Sequence, residues 1–140
     1  MKKREPVSHI MTKELRTINL NGGNLMSAKE TMENNHIRHL PVVSGDKLVG
    51  IISLTDILRI SFGGNFDQEE TVDASIFEIL TVQQVMNNSP RTVLADTTIK
   101  EVAEILSKEE FHALPVVSAD NKIEGIVTTT DLIKYLIDQY

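Results

Sequence analysis

One segment of this chain is written twice, so any fold it adopts has to accommodate two copies of the same unit. Ile37-Arg38-His39-Leu40-Pro41-Val42-Val43 runs on to Gly50-Ile51-Ile52-Ser53-Leu54-Thr55-Asp56. Phe111-His112-Ala113-Leu114-Pro115-Val116-Val117 runs on to Gly125-Ile126-Val127-Thr128-Thr129-Thr130-Asp131. Pro41 and Pro115 lie 74 positions apart, Asp56 and Asp131 75 apart. The extra residue falls where Ser44-Gly45-Asp46-Lys47 faces Ser118-Ala119-Asp120-Asn121-Lys122. A length change confined to a polar turn is what two copies of one folded unit tolerate.

Read along the chain, each copy opens with a short amphipathic turn, Val7-Ser8-His9-Ile10-Met11 and Val82-Gln83-Gln84-Val85-Met86. A brief strand follows, Arg16 to Ile18 and Arg91 to Val93. A helix comes next. In the second copy Thr98-Ile99-Lys100-Glu101 reads as a capping box, and Ile99, Val102, Ala103 and Leu106 recur at helical spacing. In the first copy Leu25, Ala28 and Met32 form the matching stripe after the breaker Asn21-Gly22-Gly23. Two strands then flank the polar turn, Leu40 to Val43 with Leu48 to Ile52, and Leu114 to Val117 with Ile123 to Val127. Their near-continuous apolar, β-branched character suits strands covered on both faces. Helices Thr55 to Ile60 and Thr129 to about Gln139 close the copies. The expected fold class is therefore α/β (α+β), each repeat ordered strand, helix, strand, strand, helix. The boundaries are 1–60 for the first repeat, 61–81 for a linker and 82–140 for the second. Within the linker, Phe62-Gly63-Gly64-Asn65 breaks the chain, Asp67-Gln68-Glu69-Glu70 is solvated, and Asp73 to Leu80 is a short helix. Units this small have little core of their own, so packing together is expected.

Composition narrows the function. The 140 residues are 41% hydrophobic but 4% aromatic with no Trp, which calls for an aliphatic core. A formal charge of −6 argues against nucleic acid as a general partner, because such binding needs a basic surface to displace counterions. The basic start Met1-Lys2-Lys3-Arg4 reads as a solvated tail. The chain has no Cys, which removes thiolate metal sites and a catalytic thiol. No apolar run approaches the roughly 20 residues of a membrane span, and no apolar stretch follows the charged start. A cytoplasmic location is expected.

The two Leu-Pro-Val-Val strands, each followed by Gly-φ-φ-Ser/Thr-x-x-Asp with φ aliphatic, resemble a tandem pair of CBS domains, the Bateman module. The resemblance runs from about Pro6 to Tyr140 and leaves only the linker unmatched. It implies a pseudo-twofold module with two clefts between the repeats, and association of two such modules as a homodimer.

Asp56 and Asp131 have two readings. As plain structure, Ser53-Leu54-Thr55-Asp56 and Thr128-Thr129-Thr130-Asp131 are helix caps with an acidic first turn, contributing roughly 0.5–2 kcal/mol without any ligand. As a site, free N–H groups and a hydroxyl at a helix start suit phosphate, and a neighbouring carboxylate can accept from a ribose diol. The resemblance assigns Asp56 and Asp131 to ribose, with Ser53, Thr55, Thr128 and Thr130 as hydroxyl donors. It puts Thr17, Ile18, Thr92 and Val93 against adenine, with strand packing as the plain alternative. Pro41 and Pro115 belong to the same lining. The resemblance also sets Arg38 and His39 in the first copy, and His112 in the second, against phosphate, where Ala113 offers nothing. Arginine makes bidentate, permanently charged contacts, so the first cleft is expected to tolerate more phosphate. His36 reads as an ordinary surface or core histidine, and His9 has no role.

The histidines lack metal-ligand spacing, and neither a Ser-His-Asp grouping nor a P-loop is present. The expectation is a non-catalytic sensor of AMP, ADP, ATP or S-adenosylmethionine that signals to a separate effector protein. It has no catalytic cofactor, no metal, no nucleic acid and no membrane span. The alternative is a ligand-free scaffold of the same fold.

Overall fold

The computed structural model describes residues 4–62 and 79–140. The linker readings from Gly63 to Glu78 lie outside them. The order of elements is a 3-10 turn (Val7–His9), β1 (Ile18–Asn19), α1 (Leu25–Asn34), β2 (His39–Ser44), β3 (Lys47–Ser53) and α2 (Leu54–Phe62). The second half adds α3 (Val82–Val85), β4 (Asn87–Asn88), β5 (Val93–Leu94), α4 (Ile99–Lys108), β6 (Ala113–Val117), β7 (Ile123–Thr128) and α5 (Thr129–Asp138). The strand, helix, strand, strand, helix order holds in both copies. Their first strands sit one to two residues later than the apolar pattern indicates.

These elements form two compact units that do not follow the repeat order. One is Arg16–Ser89; the other joins Met1–Leu15 to Pro90–Tyr140. We call them the Asp56 unit and the Asp131 unit. The Asp56 unit holds a sheet ordered β1-β2-β3-β4, and the Asp131 unit a sheet ordered β5-β6-β7. The opening turn of the first repeat thus belongs with the second sheet. Val7 is fully buried there, in a cluster with Val93, Val102, Leu106, Leu114, Val116 and Val127. Backbone bonds fix it: Val7 N–H donates to Thr97 C=O at 2.7 Å, Ile99 N–H to Glu5 C=O at 2.8 Å, and Thr12 N–H to Ile126 C=O at 2.8 Å. Reciprocally, Val82 and Met86 enter the core of Ile18, Leu25, Met32, Leu40, Val42, Ile52 and Ile57. There β4 pairs with β3, Gly50 opposite Asn88 and Ile51 opposite Asn87.

A further tie joins the opening segment to α5. The Tyr135 hydroxyl donates to Glu5 Oε1 at 2.8 Å, while Glu5 Oε2 meets His9 Nδ1 at 3.0 Å. The hydrogen bond to Glu5, with desolvation and the carboxylate charge behind it, raises the Tyr135 pKa above its ordinary value. The contribution of this bond is complete below that ordinary value and is lost as pH climbs through the raised one.

Helix starts follow the sequence with one correction. Asn24 caps α1 reciprocally with Ser27. At α4, Thr98 accepts from Glu101 N–H, but among the described residues the return bond from the Glu101 carboxylate is not made. Half of that capping box is present. Full cover of both faces holds for β2 and β6. In β3, full burial alternates from Leu48 through Gly50 to Ile52, and the other face is only half-covered, with Val49 packed against the same core.

The unequal turns have a physical cause. Ser44 pairs with Lys47 across a two-residue loop whose first residue, Gly45, has φ 65°, the left-handed region that a short hairpin assigns to glycine. The other hairpin closes through Ser118 N–H to Lys122 C=O at 2.9 Å, with Asn121 at φ 65° ending a three-residue loop. Asn tolerates that conformation better than most residues.

Ser89 is less suited, at φ 52° directly before Pro90, where the chain passes from one unit to the other. Ser89→Gly relieves a left-handed penalty of about 1–2 kcal/mol and loses about 0.5–1 kcal/mol to the greater freedom of the unfolded chain. The expected net gain is about 0.5–1 kcal/mol, read as a higher midpoint in thermal unfolding. An unchanged or lower midpoint contradicts the strain.

Candidate functional site

Each unit brings its motif together through strand register. In the Asp56 unit, His39 pairs with Ser53, Leu40 with Ile52 and Pro41 with Ile51. Leu54 N–H donates to Arg38 C=O at 2.8 Å. In antiparallel pairing, bonded and non-bonded residue pairs alternate. The 38–54 bond therefore makes Pro41–Ile51 a non-bonded pair, so Pro41 forfeits no ladder bond to β3. It also makes His39–Ser53 a non-bonded pair, with side chains close together on one sheet face. The Asp131 unit repeats the pattern. Ala113 pairs with Thr128 and Pro115 with Ile126, and Thr129 N–H donates to His112 C=O at 3.0 Å.

The strand ends in a helix start that holds the aspartate. Ser53 Oγ accepts from Asp56 N–H at 3.0 Å, and Ser53 N–H donates to Asp56 Oδ2 at 3.3 Å. Thr128 Oγ1 accepts from Asp131 N–H at 3.2 Å, and Thr128 N–H donates to Asp131 Oδ2 at 3.0 Å. Both aspartates thus close capping boxes, and the plain structural reading is correct as far as it goes. It uses one oxygen of each carboxylate. Asp56 Oδ1 lies 3.7 Å from the Arg59 guanidinium. Asp131 Oδ1 has no partner among the described residues. A carboxylate carries about four lone-pair positions, so a capping box leaves acceptor capacity for a diol. Ser53 and Thr128 accept in the cap and keep their hydroxyl hydrogens. Thr55 and Thr130 stand exposed in the first turns of α2 and α5.

The base-side residues divide. Ile18 and Val93 are core side chains, each 7% exposed, which is the strand-packing alternative; only their backbone can face a ligand. Thr17 is exposed and Thr92 half-buried just before them. Pro41 and Pro115 are buried in their strands. Arg38 and His112 are exposed, and His39 is half-buried. His36 is an exposed residue at φ 54° just past α1. Among the described residues no three His, Asp or Glu side chains gather as a metal site, and no helix is long and apolar enough to cross a membrane.

Two partners of the motif were not legible in the sequence. An added Cβ on Gly50 would collide with Met86 Sδ and sit 3.0 Å from Asn87 O, and one on Gly125 would sit 2.7 Å from Met11 Sδ and 3.0 Å from Thr12 O. The motif glycines are thus seats for the methionine of the opposite repeat. The equal 75-residue spacing of the glycines and of the methionines was the available signal.

The family model for the CBS domain matches residues 7–63 and again 82–138. The chain is 34% identical over 116 residues to the uncharacterized protein MJ1225 of Methanocaldococcus jannaschii, covering 81% of this chain and 41% of that one. Two-fifths of that relative's length is therefore spanned here. The crystal structure of MJ1225 superimposes with a TM-score of 0.83 at 30% identity, covering 97% of this chain and 49% of the other. CBSX2 in complex with AMP gives a TM-score of 0.80 at 27% identity, over 96% of this chain and 98% of that one. The CBS domain pair of MJ0100, in complex with 5′-methylthioadenosine and S-adenosyl-L-methionine, gives 0.77 at 26% identity, over 96% and 98%.

Proposed function

Because this chain belongs to the CBS domain family and carries the domain twice, we propose that it is a non-catalytic sensor of adenosine nucleotides that signals to a separate partner protein. Its ligand is AMP, ADP, ATP or S-adenosylmethionine. The observation that carries the reading is the pair of matching helix starts. Each presents a carboxylate with an oxygen outside the capping box (facing Arg59 in the case of Asp56), a hydroxyl at the cap and first-turn N–H groups, the set that a ribose phosphate calls for. Structural relatives that bind AMP, or 5′-methylthioadenosine and S-adenosyl-L-methionine, support it. Signalling requires the ligand to favour one arrangement of the protein over another, since equal affinity shifts nothing.

We also propose a homodimer. Ile133, Leu136 and Ile137 are 52%, 45% and 65% exposed on α5, an apolar stripe at i, i+3, i+4 spacing that a second copy would cover.

The rival reading, a ligand-free scaffold, draws on the capping boxes, which account for both aspartates without a ligand. Calorimetry separates the two. Asp56→Ala and Asp131→Ala are each expected to abolish one class of adenine-nucleotide site. The loss of two charge-assisted bonds, about 1.5–3 kcal/mol apiece, corresponds to a weakening of about 100-fold or more. Each variant keeps the Ser53 or Thr128 cap but loses the return bond of its capping box and the first-turn carboxylate, about 0.5–1 kcal/mol of stability. Absence of heat and of thermal shift with AMP, ATP and S-adenosylmethionine at millimolar concentration favours the scaffold.

A further inference from the structure

The two units are alike in backbone, but the segments that lead into their caps are opposite in charge. With the helices aligned, Asn35-His36-Ile37-Arg38-His39 occupies the place of Glu109-Glu110-Phe111-His112-Ala113. With histidines neutral, the first segment carries one positive charge and the second two negative charges. Both segments run from a helix end into the strand that meets the cap, His39 opposite Ser53 and Ala113 opposite Thr128.

The neighbouring cations differ in the same sense. Arg91, just before β5, lies 4.0 Å from the Glu109 carboxylate. Its counterpart Arg16 has Asn35 at the corresponding place, and that amide is turned away to donate to Thr31 C=O at 2.8 Å. Arg16 and Arg38 are both exposed and make no ion pair among the described residues. One turn past each aspartate, Arg59 and Lys134 hold the same position, but Arg59 lies 3.7 Å from Asp56 Oδ1 whereas Asp131 Oδ1 has no partner among the described residues. At physiological salt, screening acts over about 8 Å, so charges on the segments flanking the cap dominate what a bound ligand feels.

Resting on the nucleotide reading above, we infer that the two units select by ligand charge. The Asp56 unit takes the phosphorylated adenosine compound. The Asp131 unit takes an adenosine derivative without phosphate, neutral or cationic at its 5′ side. Glu110 repels a phosphate there, Glu109 and Arg91 cancel one another, and Ala113 supplies no cation.

The test is calorimetry on the full chain with ATP and with 5′-methylthioadenosine, using Asp56→Asn and Asp131→Asn to isolate the units. Asn retains an acceptor oxygen for the cap. ATP is expected to bind Asp131→Asn at least tenfold more tightly than Asp56→Asn, and the ratio should shrink in 0.5 M salt, roughly where screening falls below 5 Å. Methylthioadenosine should show no such preference for the Asp56 unit. A variant set that keeps both aspartates gives the second arm. Glu109→Asn, Glu110→His and His112→Arg together should raise ATP affinity at the Asp131 unit tenfold or more. Equal ATP affinities in the two Asn variants, or no gain from the triple change, overturn charge selection while leaving nucleotide binding intact. No binding of either compound to the unaltered chain overturns the nucleotide reading and this inference with it.

Discussion

Deletion of residues 1–15 is expected to unfold the Asp131 unit and spare the Asp56 unit, although in sequence those residues head the repeat that contains Asp56. The segment supplies Val7, fully buried against Leu114, Val116 and Val127. It also carries the backbone bonds to Thr97, Ile99 and Ile126. Removing it opens a cavity and orphans buried backbone groups, each a loss of about 1–3 kcal/mol. Together these consume most of the 5–15 kcal/mol that holds a small domain folded. Hydrogen exchange resolved by residue is the measurement. Amides of Leu114 and Val116 should lose protection while those of Leu40 and Val42 keep it. The milder Val7→Ala should lower stability by about 2–3 kcal/mol, from lost burial and the residual cavity. Unchanged protection at Leu114 in the shortened chain would show that the repeats fold as written.

Gly125→Ala and Gly50→Ala are expected to destabilise by about 1–3 kcal/mol each, the range for overpacking a filled site. The new methyl group meets a methionine sulfur and a backbone oxygen in both cases. The sulfur sits on a flexible side chain and can retreat. The carbonyl belongs to a strand pairing and cannot retreat without breaking it. Chemical denaturation of Gly125→Ala, Met11→Ala and the double variant measures the contact. The double variant should be more stable than the two single losses added together by about 1 kcal/mol or more. Additive losses would mean that the methionine is not the obstacle.

How much of this was readable beforehand differs by element. The strands around Pro41 and Pro115, the helix stripes at Leu25-Ala28-Met32 and Ile99-Val102-Leu106, and the caps at Ser53 and Thr128 were all legible. Each depends on residues within a few positions of one another, where spacing and side-chain chemistry set the conformation. The caps also marked the candidate site, because the residue that starts each helix holds the aspartate in its capping box. Ile18 and Val93 were less clear, since one side chain on a two-residue strand faces either core or ligand and no periodicity decides which. The return bond at Glu101 depended on a rotamer, which a motif does not specify.

Sequence alone determined the main content of each unit: one sheet, its helices, and a carboxylate held at the start of the closing helix. Tertiary structure decided which opening segment completes which sheet. A repeated sequence is nearly unchanged when its two copies trade segments, so Met11 suits Gly50 as well as Gly125, and Val7 suits either core. Local preferences cannot separate those alternatives. The choice belongs to the chain paths through Leu15–Arg16 and Ser89–Pro90, and to which core each segment then fills.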